Sequence, residues 1–266
     1  MSLAIGIQVI VVYAAPLRLF LRPFTELPDI PGGLNTQTLM LTMFSIAHAL
    51  YVLGWRNTLV FFTLSAVISW AFEQAGVTAG VIYGSYHYTD ELGLKVGAVP
   101  LLIPLAWFMM IYPSYVIANL IVDAKPTGSQ GGFRHLIALA AVSAIVVTAW
   151  DLLIDPVLSN LPRPMWVWEQ GGPYFGVPIQ NYVGWLLTTF TIYLTYRLYE
   201  RRFKPQPTIP VTTTVAAMPL VAYGLMMLGT MTAGGPNALM VIGPIVMGIP
   251  LLLAARQLRN HHQRMM

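Results

Sequence analysis

Three acidic residues sit where acids are rare. Glu73 lies in SWAFEQAG, inside a long apolar stretch, and Asp151 and Asp155 lie in TAWDLLIDP near the end of another. A carboxylate near the centre of a membrane span costs about 2.5–3.5 kcal/mol on insertion scales. Glu73 is therefore expected to face a protein interior and to find a partner or keep a proton. Desolvation favours the neutral carboxyl, and a carboxyl that holds its proton at neutral pH can serve as a general acid. The competing reading is an interhelical hydrogen bond that only holds helices together. The i, i+4 spacing of Asp151 and Asp155 puts both on one helix face, a turn apart, where both cannot ionise cheaply. Asp155 precedes Pro156, a pairing that disfavours helix. The helix is expected to end there, and turn chemistry alone could explain Asp155. Asp151 is the stronger candidate. Trp70, at i−3 from Glu73, and Trp150, beside Asp151, are candidates for stabilising a cation.

Two further segments carry aromatics among acids. YGSYHYTDELG holds Tyr83, Tyr86, His87, Tyr88, Asp90 and Glu91, and MWVWEQGGPYFGVP holds Trp166, Trp168, Glu169, Tyr174 and Phe175. Trp and Tyr also form ordinary interfacial belts. Here the same stretches hold acids and glycines, and an aromatic face attracts a cation by about 0.5–2 kcal/mol. A carboxylic acid beside such a wall can protonate an alkene and shelter the carbocation that results. AVPLLIPLAWF (98–108) and GVPIQNYVGWL (176–186) echo each other, each running from small-Val-Pro to a Trp at the same distance, which hints at duplication.

Other chemistries find no support. The chain has no cysteine, which excludes disulfides and thiolate catalysis. Its histidines (48, 87, 135, 261 and 262) include no HxxxH or HxxH pair, so no metal site is read. His48, alone in an apolar stretch, reads as a hydrogen-bonded packing residue. Acid-rich diphosphate motifs, phosphate loops and dinucleotide fingerprints are not found.

The elements that must position these residues are membrane helices. Of 266 residues, 56% are hydrophobic and 9% charged, against about 25% charged in soluble domains. Mean hydropathy is +0.66. The apolar stretches are continuous, without the alternation of a β-barrel. An all-α polytopic bundle of about eight spans, or seven, is expected, at 3–21, 37–55, 58–80, 98–122, 134–155, 178–199, 213–231 and 238–256. Residues 3–15 resemble a signal peptide but lack a preceding positive segment, so the first helix is expected to be retained. FKPQPTIPVT (203–212) reads as a linker between a six-helix catalytic body (1–202) and a C-terminal hairpin with a basic tail (213–266).

Ten of the fourteen Lys and Arg residues fall on one side of this topology, so the positive-inside rule puts both termini in the cytoplasm of a cell-membrane protein. The basic clusters, Arg197 to Lys204 and Arg256 to Arg264, read as juxtamembrane contacts to anionic lipid, not as a nucleic-acid site. Eight of the ten acids fall on the opposite side. Insertion does not explain that bias. A site does.

The stretch from Trp70 to Tyr115, with Phe72-Glu73, the YGSYHYTDELG loop and VPLLIPLAWFMMIYPSY, resembles the carotenoid biosynthesis membrane hydratases, the gamma-carotene and bisanhydrobacterioruberin hydratase family. The resemblance continues through AWDLLIDPVL and the W-E-G-G-x-Y-F-G-V-P-x-x-N-Y-x-G-W run ending at Trp185, and covers about residues 65–190. It implies addition of water to the terminal double bond of an acyclic carotenoid drawn from the bilayer, giving a tertiary alcohol without a redox cofactor. It implies Glu73, Asp90, Asp151, Asp155 and Glu169 as the acids. Trp70, Tyr83, Tyr86, Tyr88, Trp107, Trp150, Trp168, Tyr174, Phe175, Asn181 and Trp185 would contact substrate. A lycopene-type end-group cyclase and a non-catalytic carotenoid carrier are the alternatives. Nothing after Lys204 matches a motif.

Overall fold

The computed structural model describes residues 33–129, 131–206 and 211–265. Six long helices run through them: α1 (Gly33–Leu53), α2 (Trp55–Ala79), α3 (Leu102–Asp123), α4 (Phe133–Leu158), α5 (Ile179–Arg202) and α6 (Thr213–Met231). A last rod joins α7 (Leu239–Gly243), a π-helical turn (Pro244–Gly248) and α8 (Ile249–Met265). All but α5 of these rods are long and apolar enough to cross a membrane. The Thr, Tyr, Arg and Glu side chains of α5 lower its hydropathy, and it packs along α4 and α2 instead of standing alone. The polytopic all-α bundle is what forms. The span expected at 3–21 lies outside the described residues.

Prolines explain how the helices lock together. Pro113, Pro156 and Pro219 lie inside α3, α4 and α6. A proline frees the carbonyl four residues back, and in lipid that carbonyl needs another donor. Met109 O accepts from Ser45 Oγ at 3.0 Å, Val215 O from His48 Nε2 at 2.8 Å, and Leu152 O from Tyr174 O–H at 3.0 Å. The third bond corrects the expected end of α4 at Asp155. With Leu152 O supplied by Tyr174, the helix continues through Pro156 to Leu158. The second accounts for His48: Nε2 donates to a carbonyl, so Nδ1 accepts from Tyr112 O–H at 2.7 Å. It also ties the C-terminal hairpin to α1.

Arg197 is another correction, because it is buried in the bundle rather than juxtamembrane. Its guanidinium donates to Asn119 Oδ1 at 2.6 Å and Ser143 Oγ at 3.1 Å, and lies 4.4 Å from the Tyr115 ring centre. Glu200 accepts from Tyr115 and Ser129 and stands 3.7 Å from Arg197. Pairing of this kind is what a buried charge requires. The network fastens the α3–α4 connection to α5, at the end of the bundle away from Glu73 and Asp151.

At the other end two short ribbons cap the helices. β1 (Tyr86–Tyr88) pairs antiparallel with β4 (Trp166–Trp168), Tyr86 opposite Trp168 and Tyr88 opposite Trp166. The two-residue period buries Tyr86 and Tyr88 and exposes His87. β2 (Lys95–Val96) and β3 (Val99–Pro100) form a hairpin held to α2, where Trp70 Nε1 donates to Val96 O at 3.1 Å and Gln74 Oε1 accepts from Ala98 N at 2.9 Å. Tyr83 threads between two helices that approach closely only because both carry glycine. A Cβ on Gly76 would meet Tyr83 Cδ2 at 2.8 Å, and one on Gly184 would meet Tyr83 Cδ1 at 2.5 Å.

Candidate active site

Beneath the β1–β4 ribbon lies a cavity of about 560 Å³, within the range of about 300–1,000 Å³ usual for small-molecule sites. Glu73 of α2 and Asp151 and Asp155 of α4 all line it, and all are buried. Among the described residues no salt bridge reaches any of the three. Their hydrogen-bond partners are neutral.

The three carboxyls are not equally engaged. Glu73 Oε2 accepts from the Tyr86 hydroxyl and from Tyr88 at 2.7 Å, and Oε1 accepts from Trp107 Nε1 at 3.0 Å. Burial pushes both phenols up from their ordinary range and the neighbouring Glu73 pushes them further, so both stay O–H donors. Asp155 Oδ1 accepts from Trp166 Nε1 at 2.7 Å and Trp168 Nε1 at 3.1 Å. The Asn181 amide then bridges the pair, donating to Asp155 Oδ2 at 2.7 Å and Asp151 Oδ2 at 2.8 Å. Glu73 and Asp155 thus each accept from three donors. Asp151 accepts from one, and its other oxygen has no partner among the described residues.

One ribbon sets two of these environments, since β1 supplies the tyrosine donors to Glu73 and β4 the tryptophan donors to Asp155. The strand pairing keeps the two sets in register. The walls are aromatic: Trp107 stacks on Trp185 at 3.9 Å between ring centres, and Trp150 meets Trp185 edge-on at 6.1 Å. Trp107 and Trp185 come from the two echoing segments, which open α3 and α5 and bring their tryptophans face to face. Tyr83 completes the wall, its hydroxyl bonded to Thr188 Oγ1 at 2.7 Å.

The structure therefore gathers Glu73, Asp151, Asp155, Tyr83, Tyr86, Tyr88, Trp107, Trp150, Trp168, Asn181 and Trp185 around one space. It does not bring five other candidates there. Asp90 is exposed, with Oδ1 3.4 Å from Lys95 Nζ. Glu169 lies on the outer face of the ribbon with His87 at 2.5 Å, where strand alternation sends it. Trp70 is spent on the β2–β3 hairpin and Tyr174 on Leu152 O, while Phe175 packs edge-on to Tyr174 at 4.7 Å. Trp166, not among the expected contacts, also lines the cavity, and its i, i+2 spacing from Trp168 in WVW is the signal that puts both on one strand face. Met226, Gly229, Thr230 and Ala233 also line the cavity, and no local signal marks them.

The sequence places the chain in a known family. The sequence matches the family described as "Carotenoid biosynthesis protein" over residues 34–255, and the chain belongs to it as a multi-pass membrane protein. It is also similar to bisanhydrobacterioruberin hydratase of Haloarcula japonica, 31% identical over 121 residues, a stretch that makes up 45% of this chain and 38% of that protein. No solved structure gives a significant match.

Proposed function

We propose that the protein is a cofactor-independent carotenoid hydratase, adding water to the terminal double bond of an acyclic carotenoid that enters from the bilayer. The observation that carries the reading is the set of three buried carboxyls on an aromatic cavity that have no cationic partner among the described residues, one of them with an oxygen that no described residue engages. Hydrogen bonds to a charged group are worth about 1.5–3 kcal/mol each. Glu73 and Asp155, with three donors apiece, are therefore furnished as carboxylates. Asp151 is the group that holds the proton.

In this reaction the Asp151 carboxyl protonates the less substituted alkene carbon and leaves a tertiary carbocation. The Glu73 carboxylate and the faces of Trp107, Trp150 and Trp185 stabilise that charge. Water attacks the cation, and its surplus proton returns to Asp151 through the carboxyl pair that Asn181 bridges. One C–H and one C–O bond form, the alkene π bond is lost, and nothing is oxidised or reduced. The similarity to bisanhydrobacterioruberin hydratase supports the substrate class and the direction of reaction.

The test is incubation of the purified protein in detergent with an acyclic carotenoid and no added cofactor, followed by mass spectrometry of the pigments. A product heavier by one water is expected. An isomeric cyclic product would make the protein an end-group cyclase, and bound but unchanged pigment would make it a carrier.

A further inference from the structure

The cavity has two chemically different walls. One carries Glu73, Asp151 and Asp155 with their aromatics. The other is uncharged: Thr38 and Leu41 of α1 and Ile103 and Met109 of α3 contribute to it, and so does the C-terminal hairpin, where Met226, Gly229 and Thr230 of α6 and Ala233 just beyond it line the same space. Helices normally bury small residues against one another, but this strip faces a void. Thr230 is buried on that void, yet its hydroxyl makes no hydrogen bond among the described residues. Thr42, Thr189 and Thr232 instead turn back to the carbonyl four residues earlier, at 2.8, 2.6 and 3.0 Å, the usual resort of a helical threonine in an apolar setting.

We propose that this strip is the track for the polyene chain beyond the reacting end group, so that the C-terminal hairpin selects substrate by its chain. The inference rests on the hydratase reading for the direction of the chain. Protonation has to take place at the acids, so the end group lies against Glu73 and Asp151. The rest of a stiff apolar molecule then takes the uncharged lining, of which Gly229, Thr230 and Ala233 are the part with the least side-chain bulk. Small residues there let a flat chain lie close to the helix backbone, as they let helices approach one another. The C-terminal hairpin thereby acquires a part in recognition.

The absence of cysteine from the chain gives a direct test. Thr230→Cys and Ala233→Cys each introduce a single thiol on the track, and Leu94→Cys introduces one on an exposed loop away from the cavity. The alkylation rate by a small maleimide is measured in detergent with no addition, with a long acyclic carotenoid, and with a short branched alkene bearing the same end group. At a carotenoid concentration of about ten times Kd, mass action predicts roughly tenfold slower alkylation of both track thiols. Leu94→Cys should not change, and the short alkene should leave the track thiols reactive. Equal protection by the short alkene, or no protection by a carotenoid that the unsubstituted protein turns over, would overturn the proposal. Protection of the track without any turnover would keep the track and sink the hydratase reading instead.

Discussion

Replacing Glu73 by Gln removes a charge while keeping the shape of the side chain, and the three donors around it dictate how the new amide must sit. Trp107 N–H can only donate, so the new carbonyl oxygen must face it, across the present 3.0 Å. The new NH2 then meets Tyr86 and Tyr88, whose hydroxyls rotate to accept. Three charge-assisted bonds become neutral ones, a loss of about 1 kcal/mol each, partly offset because a buried charge no longer has to be desolvated. Folding should change little. The chemistry should not escape so lightly. A carboxylate about 5 Å from a carbocation contributes about 3 kcal/mol at an effective dielectric of about 20. At about 1.4 kcal/mol per decade, its loss lowers kcat about 100-fold. Initial rates from pigment chromatography, beside a thermal melt of the same preparation, measure both quantities. Turnover within threefold of the original, with an unchanged melt, would refute the assignment of Glu73 as the anion facing the cation. Complete loss with Glu73→Gln alongside full activity of Asp151→Asn would reverse the two roles.

Other outcomes are expected together. Asp151→Asn should abolish hydrated product while a spectral titration still detects bound carotenoid. Gly184→Ala should destabilise by about 1–3 kcal/mol, the usual cost of overpacking, because the new methyl meets Tyr83 at 2.5 Å and Ile82 O at 2.7 Å; a lowered melting temperature measures it. Asn181→Leu should raise the pH sensitivity of turnover, since Asp151 and Asp155 lose the amide that bridges them, and a pH–rate profile reads the change. A thiol introduced at Leu94 should react with an impermeant reagent from outside intact cells, as the positive-inside count requires.

Much of this arrangement could be read from the residues, for reasons that differ from one to the next. The spans were legible because lipid demands long apolar helices, and Glu73 and Asp151 because an acid in such a helix is expensive. Asp90 and Glu169 could not be separated from the buried acids by sequence. Their loops hold tyrosines and tryptophans that do face the cavity, and only the strand pairing reveals which side chains point outward. The end of α4 was not legible at the Asp155–Pro156 step, because the carbonyl that Pro156 frees is met by Tyr174, which lies far along the chain. Arg197 read as a surface charge because its partners come from α3 and α4. The α6 wall left no trace, since small and aliphatic residues look alike whether they face a cavity, lipid or another helix.

In the proposed reaction a carboxyl of this chain delivers a proton to carbon, and water, not oxygen gas, then supplies the hydroxyl. Turnover in deuterium oxide enriched in oxygen-18 tests both halves in one spectrum. A product carrying one carbon-bound deuterium and one heavy oxygen is expected. A hydroxylated product without carbon-bound deuterium, or with oxygen drawn from air, would contradict it.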